Sequence, residues 1–434
     1  MVDYYSTVAA DDDKKLFAWV IQPSGNITFR QIDLSNLNTS LKSVVNSTLI
    51  AASSFIDRGR QKTSLIQAVR NLRSQSYERQ RKSVEEFFIE ESTQIQRLQY
   101  LHSLIVRPIE DLLPKNPESD VIFVPQGDLT VVPFAALKDT DGRYLIEKHT
   151  IRTAYSFANL KHPIKRIRQM PKGKEVLMVG NTAAPNLSYN DGSVQVLPQL
   201  PAAESEAVDI SNSLGGNWFI KDAASLARIT PFLSDAKIIH FAAHGLLNYT
   251  SHKEFMLIQH LEGDKNNSLH IEQPVTNGLV DSGLVYKVWY DQKSSETRWQ
   301  VIQARLSLPG AIALAGQLLT AEQILSARLK ADLVVLSACN TAQGVNTESG
   351  VLGLPFAFGL AGVPKVAVSL WSVPDTSTKL LMSEFYSAMG RNARANRDTN
   401  PPKALREAML KVKENNLFSD PINWAGFTVM DVSY

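Results

Sequence analysis

Ala331-Asp332-Leu333-Val334-Val335-Leu336-Ser337-Ala338-Cys339-Asn340-Thr341 decides the fold. From Leu333 to Ala338 the run carries no charge, and Cys339-Asn340 follows directly. A short continuous apolar run reads as a strand buried on both faces, the pattern of a parallel sheet. In such sheets reactive groups sit just beyond the carboxyl ends of the strands. Cys339 stands at that end and is the only cysteine in the chain. A second run has the same shape: Lys237-Ile238-Ile239-His240-Phe241-Ala242-Ala243-His244-Gly245 is an apolar strand closing on His-Gly. If the two strands are neighbours, an imidazole and a thiol face each other at one sheet edge. A histidine beside a thiol lowers the thiol pKa and yields a nucleophilic thiolate. The strand pattern alone leaves two readings of Cys339 open, a nucleophile or a buried core thiol.

Composition narrows the class. The chain has 434 residues, 44% hydrophobic and 20% charged, which is ordinary for a globular protein of two to three domains or one large divided sheet. A net charge of +2 argues against nucleic-acid binding. One cysteine excludes an intrachain disulfide and fits a reducing, cytoplasmic compartment. The sequence holds no membrane-length apolar run, and Met1 to Tyr5 lacks a signal pattern. Neither a membrane partner nor a cofactor is expected. His252, His260 and His270 lack metal-ligand spacing, so no metal site is expected either.

Residues 1–35 read as a β-hairpin, with Leu16 to Ile21 and Ile27 to Arg30 around the turn Pro23-Ser24-Gly25-Asn26. Residues 36–113 read as a helical segment, its apolar positions Val84, Phe88, Leu98, Leu101, Ile105, Ile109 and Leu112 at roughly helical spacing. Residues 114–174 begin with a strand pair, Asp120 to Pro125 and Leu129 to Phe134, and end in a basic stretch from Lys161 to Lys174 that reads as a surface linker. From Glu175 to the end, strands and helices alternate, which implies a parallel, doubly wound sheet. Ala203, Ala207, Ile210 and Leu214 mark one helix face, and Leu381, Phe385 and Met389 another. Gly350 to Leu360 reads as a helix, Lys365 to Val373 as a strand, and Trp424 to Met430 as the last strand. Residues 259–310 break the rhythm. They read as a long insertion between the two key strands, expected to be mobile together with Gln343 to Ser349.

Five motifs in register resemble the CHAT-domain cysteine proteases, caspase-like peptidases of the separase clan. They are His240-Phe241-Ala242-Ala243-His244-Gly245, Leu336 to Ala342, Gly350-Val351-Leu352-Gly353-Leu354 leading to Ala361-Gly362, Val366 to Asp375, and Trp424-Ala425-Gly426-Phe427. Val124-Pro125-Gln126-Gly127 and Val132 to Leu137 look like the N-terminal part of the same domain, so the likeness spans about residues 90–434. It implies a caspase-like, mostly parallel sheet with helices on both faces over 175–434, preceded by a helical and hairpin part of pseudo-protease type. It also implies cysteine endopeptidase activity on protein or peptide substrates, with an activating protein partner a further guess. Cys339 is then the nucleophile and His244 the base, with the backbone N–H groups of Gly245 and Cys339 as the oxyanion hole. In the family a strand equivalent to Val366–Val373 pairs with the substrate backbone. That places Ser369, Trp371 and Val373 along the groove. Asp332 and Asp375 are the nearest acidic residues for a basic P1 side chain; their plain readings are a strand start and a helix N-cap. Two departures stand out: Asn340 where the family often has an acid, and a step of 95 residues from His244 to Cys339, the excess falling in 259–310. The helical repeat array of many relatives is reduced here to 36–113, as expected of a compact or trimmed member. A silent caspase-like scaffold, docking partners through 36–113, is the competing reading. A flavodoxin-like nucleotide binder is disfavoured, because no phosphate-loop pattern follows any strand.

Overall fold

Val, Ile and Leu dominate the runs between residues 176 and 369, and their branched side chains pack well on a pleated surface. The computed structural model turns these runs into the centre of an eleven-stranded sheet. It describes residues 2–6, 15–37, 39–49, 94–156, 160, 170–183, 187–188, 194–246, 267–272, 284–291, 296–303, 308–338, 345–347, 350–395 and 400–432. The sheet strands are β1 (Val2–Ser6), β2 (Lys15–Ile21), β3 (Ile27–Asp33), β4 (Asp120–Val124), β5 (Thr150–Ala154), β6 (Val176–Thr182), β7 (Asn217–Lys221), β8 (Ile238–Ala242), β9 (Leu333–Leu336), β10 (Lys365–Ser369) and β11 (Phe427–Asp431). Their spatial order is β3-β2-β1-β4-β5-β11-β10-β9-β8-β6-β7.

Two parallel blocks meet in this sheet. Strands β10, β9, β8, β6 and β7 run parallel to one another, and β11, β5, β4 and β1 form the second block. The blocks join through the antiparallel pair β10–β11, from Lys365↔Asp431 to Ser369↔Phe427. At that joint Asp431 is buried and takes Lys365 on one carboxylate oxygen and Arg152 on the other. Burial pushes the Lys365 ammonium below its ordinary value, while the Asp431 charge works against that shift.

Five helices cover the sheet: α1 (Pro201–Leu214), α2 (Leu226–Leu233), α3 (Leu354–Leu360), α4 (Asp375–Arg394) and α5 (Pro401–Lys413). Adjacent residues of a strand point to opposite faces. On β8, Phe241 meets Phe358 of α3, while His240 meets Tyr386 of α4 and Glu206 of α1. Helices therefore cover both faces, as the doubly wound expectation requires. Each wholly buried Phe or Leu side chain contributes roughly 1.5–3 kcal/mol of apolar burial, and β8 and β9 are buried along their whole length.

The N-terminal hairpin forms as expected and extends the same sheet through β1. Residues 41–49 and 94–105 are helical, and Leu98, Leu101, Ile105 and Ile109 are buried, in keeping with the helical period. Val84, Phe88 and most of 161–174 lie outside the described residues.

Several element boundaries differ from the sequence reading, each for a local reason. Leu129–Phe134 is not a strand: Gly127, at φ 55°, opens a 3-10 helix over Gly127–Val131, and Leu129 N–H bonds Gln126 O at 3.2 Å. Local i→i+3 bonds there override the β preference of Val131 and Val132. The stretch Gly350–Leu360 is divided. Gly350–Leu352 pairs with Val345–Thr347, and helix begins only at Leu354, with Pro355 in its first turn. A short helix over Pro421–Trp424 precedes β11, so the last strand starts at Phe427. Within the insertion, Asn267–Glu272, Leu284–Asp291 and Glu296–Gln303 form a three-stranded antiparallel sheet.

Two measurements check this architecture. Asp431→Asn takes the shared carboxylate from buried Lys365 and leaves Arg152 with Asp120 alone, and urea unfolding is expected to show a loss of about 3–5 kcal/mol. His149 is buried before β5, and burial, aided by Lys148 and Arg406, lowers its pKa to about 4 from an ordinary 6.5. Between those values the unfolded chain takes up a proton that the folded chain refuses. Stability is therefore expected to fall on acidification from pH 6.5 to about 4, by up to about 3 kcal/mol, and His149→Phe to remove that part of the slope.

Candidate active site

The two strands singled out by the sequence are neighbours. β8 and β9 pair in parallel from Ile238↔Leu333 to Phe241↔Leu336. Both therefore end at the same edge, where parallel sheets expose reactive groups. His244 stands three residues beyond Phe241, and Cys339 three residues beyond Leu336. Description of the second chain stops at Ala338, so Cys339 itself lies outside the described residues.

His244 is fixed by main chain on two sides. Its own carbonyl accepts from Ala313 N–H at 2.9 Å, where Ala311–Leu314 runs beside Gly245–Leu246. Its ring Nε2 lies 2.7 Å from Pro198 O. A carbonyl can only accept, so Nε2 carries the proton, and Nδ1 of the neutral ring is left as the acceptor. Gly245 follows directly and pairs with Ile312. Pro198 belongs to the loop before α1, and this loop sits close to the sheet because Gly180 on β6 has no side chain. A Cβ on Gly180 would run into Ala203 O and Ala207 Cβ of α1.

On the Cys339 side, Ser369 ends β10 and its buried hydroxyl donates to Ala338 O. The residue preceding the cysteine is thus anchored to the neighbouring strand. This places Ser369 beneath the site and not along an open groove. Trp371 is likewise buried; its Nε1–H reaches Ile422 O at 3.3 Å and its ring packs on Gly426. Val373 packs against the same glycine. Nor has β10 a free edge: β9 and β11 flank it, and Leu370 N–H bonds Gly426 O at 2.8 Å. A substrate strand cannot add along Val366–Ser369, because those backbone groups are already paired.

The two acidic residues also stand elsewhere than expected. Asp332 precedes β9 at its amino end, six residues before Ala338 and so roughly 20 Å from the site edge. It stands at the end of the strand opposite to the edge that carries His244. Asp375 is the first residue of α4, and its Oδ2 accepts from Ala202 N–H at 2.9 Å, capping α1 from outside.

Beneath His244, on the same strand, lies a wholly buried polar group. His240 Nε2 is 2.8 Å from Glu206 Oε1, and its Nδ1 is 3.1 Å from the Tyr386 hydroxyl. The approach to the carboxylate lacks hydrogen-bond geometry, so the hydrogen bond that orients the ring is the one between Nδ1 and the Tyr386 hydroxyl. Burial, with the Glu206 charge nearby, raises the Tyr386 pKa well above its ordinary value, which keeps that hydroxyl a donor. Sequence reasoning missed Glu206, Tyr386, Asn181 and the Pro198 carbonyl. Glu206 had a visible signal, since it stands three residues after Ala203, among the apolar positions of α1. A backbone carbonyl has none.

These arrangements define a class: an α/β sheet covered on both faces, of the caspase and separase type, with a histidine closing one central strand and a cysteine following its neighbour in sequence. A family model described as the CHAT domain matches residues 96–431, and the chain belongs to that family. Among solved structures, separase of Saccharomyces cerevisiae in its complex with securin is similar, with a TM-score of 0.53 at 12% identity, covering 99% of this chain and 30% of that one. Among curated proteins, tetratricopeptide repeat protein 28 of Mus musculus is 29% identical over 343 residues, and that of Homo sapiens 28% over 346. Each match takes in 77% of this chain but only 13% of the relative's length. Among the described residues no helix is long and apolar enough to cross a membrane.

Removing the buried acid tests the floor of the site. Glu206→Ala strips His240 of its charged neighbour and leaves a hole under β8, so chemical denaturation is expected to register a loss of about 3 kcal/mol.

Proposed function

We propose that this CHAT domain is a cysteine endopeptidase that cleaves protein substrates through a thioester acyl-enzyme. The observation that carries the reading is the His244 ring, held with Nε2 on Pro198 O at the edge where β8 and β9 both end. Nδ1 is then the nitrogen available to take a proton, and His244 and Cys339 each stand three positions beyond the last paired residues of the two strands, Phe241 and Leu336. In the reaction the Cys339 thiolate attacks the scissile carbonyl carbon, and the proton that His244 took from the thiol passes to the leaving amine. Water then attacks the thioester, His244 accepts its proton, and the thiolate is released with the acid product. The backbone N–H groups of Gly245 and Cys339 are assigned to the oxyanion. Ser369, through Ala338 O, is assigned to holding the turn that presents Cys339. Substrate pairing is assigned to the chain after Leu370, where β10 has ended.

A second reading has its own support. The curated relatives are named as tetratricopeptide repeat proteins, and the chain covers 13% of their length. A caspase-like domain inside a repeat protein can serve as a docking module, since fold alone does not assign chemistry. The separase structure likewise holds a protein partner, securin.

Incubation of the chain with a diverse peptide library, read by mass spectrometry, separates the two. Cleavage by wild type that vanishes in Cys339→Ala and in His244→Ala is the expected result. Ser369→Ala is expected to keep cleavage but to lower kcat about 10-fold, as misplacement of a reacting group does. A library left equally intact by wild type and Cys339→Ala would favour the docking module.

A further inference from the structure

We infer that Asn181 is the positioning residue of this site, clamping the Pro198 loop so that its carbonyl stays on the His244 ring. The inference rests on the reading of His244 as the base. Asn181 lies at the carboxyl end of β6, where the register with β7 shifts between Gly180 and Thr182. Such a bulge re-aims a side chain. The backbone of Asn181 has φ 41°, and among the described residues Lys221 is the one other non-glycine with positive φ. Asparagine tolerates that region better than most residues, but it is seldom occupied without a reason.

The reason is visible in what the buried carboxamide holds. Its Oδ1 accepts from Leu200 N–H at 2.6 Å, and its Nδ2 donates to Glu204 Oε2 at 2.8 Å. Leu200 is the residue just before α1, and Glu204 is in its first turn. One side chain thus spans the entry to the helix. The second residue with positive φ reaches the same acid: Lys221 Nζ lies 3.0 Å from Glu204 Oε1. The Asn181 hydrogen bond, then that of Lys221, holds the Glu204 carboxyl below its ordinary value.

Pro198 is two residues before Leu200 and three before Pro201. Each proline fixes its own φ and restricts the residue before it. The loop Leu197-Pro198-Gln199-Leu200-Pro201 therefore has little slack, and pinning Leu200 pins the Pro198 carbonyl. Asp375 on Ala202 N–H steadies the same turn from the far side. Without the clamp the carbonyl leaves Nε2, the ring is free to change tautomer, and the thiol loses its proton acceptor.

The single cysteine of the sequence makes the test direct, because alkylation by iodoacetamide reports on Cys339 alone. The rate is measured against pH on the whole chain for wild type, His244→Ala and Asn181→Gly. Glycine is chosen because it adopts the φ of Asn181 without strain. Thermal melting checks that each variant is folded. His244→Ala is expected to slow alkylation at pH 7 by about 10-fold and to move the profile to higher pH. Asn181→Gly is expected to move it in the same direction, slowing the rate at least about 3-fold. A loop that is only structural moves the melting point and leaves the pH profile in place. Pairing Asn181→Asp with Glu204→Gln reverses the hydrogen bond, keeps the acceptor for Leu200 N–H, and is expected to restore the wild-type profile. If Asn181→Gly does not fold, Glu204→Ala removes the outer bond of the carboxamide together with the Lys221 ion pair, leaves Leu200 N–H on Asn181 Oδ1, and carries the same expectation. A folded clamp variant with a wild-type profile, beside a shifted His244→Ala, overturns the positioning role and leaves the Cys–His reading standing. An unshifted His244→Ala overturns that reading itself, and the role of Asn181 with it.

Discussion

Parallel pairing of β8 with β9 is the constraint on which the site depends. Parallel strands end at the same edge, and the hydrogen-bond ladder fixes which residue stands beside which. With Phe241 on Leu336, the chains that carry His244 and Cys339 leave the sheet side by side. A shift by one residue would also turn every side chain of β8 over. Phe241 would then face α1 and α4, and His240 would face the apolar surface of α3 without Glu206 or Tyr386. The cost of burying that imidazole away from both opposes such a shift.

A second constraint acts at the other end of the central strands. The two parallel blocks join through β10 and β11, whose directions oppose. Asp431 closes the joint by holding Lys365 of one block and Arg152 of the other. Because β10 is enclosed by β9 and β11, no edge of it is open to an added strand, and Trp371 becomes core. The same packing explains Ser369, whose position at the end of β10 puts its hydroxyl on Ala338 O.

Much of this was legible in the order of residues. Apolar runs closing on His244-Gly245 and before Cys339 located the two strands and their common edge, because doubly buried strands leave an unbroken apolar signature. Helix faces such as Ala203, Ala207 and Ile210 were equally plain. Boundaries were harder. Val131-Val132 has a strand composition, yet Gly127 turns the backbone into a 3-10 helix, and neighbouring sequence does not reveal which local bonds win. Asp332 and Asp375 were acidic residues near the right motifs, but closeness in sequence to a strand says nothing of which end they occupy or what else they meet.

By itself the sequence determined the doubly wound class and the places where the two central strands close, since these follow from periodicity and residue type. Tertiary structure alone decided what surrounds them. The Pro198 carbonyl on His244, the carboxamide of Asn181 across the start of α1, and the buried Glu206–His240–Tyr386 group all join segments distant in the chain. Contacts of that kind are set by how closely a helix approaches a sheet, here at Gly180, and a backbone carbonyl has no letter of its own by which to be read.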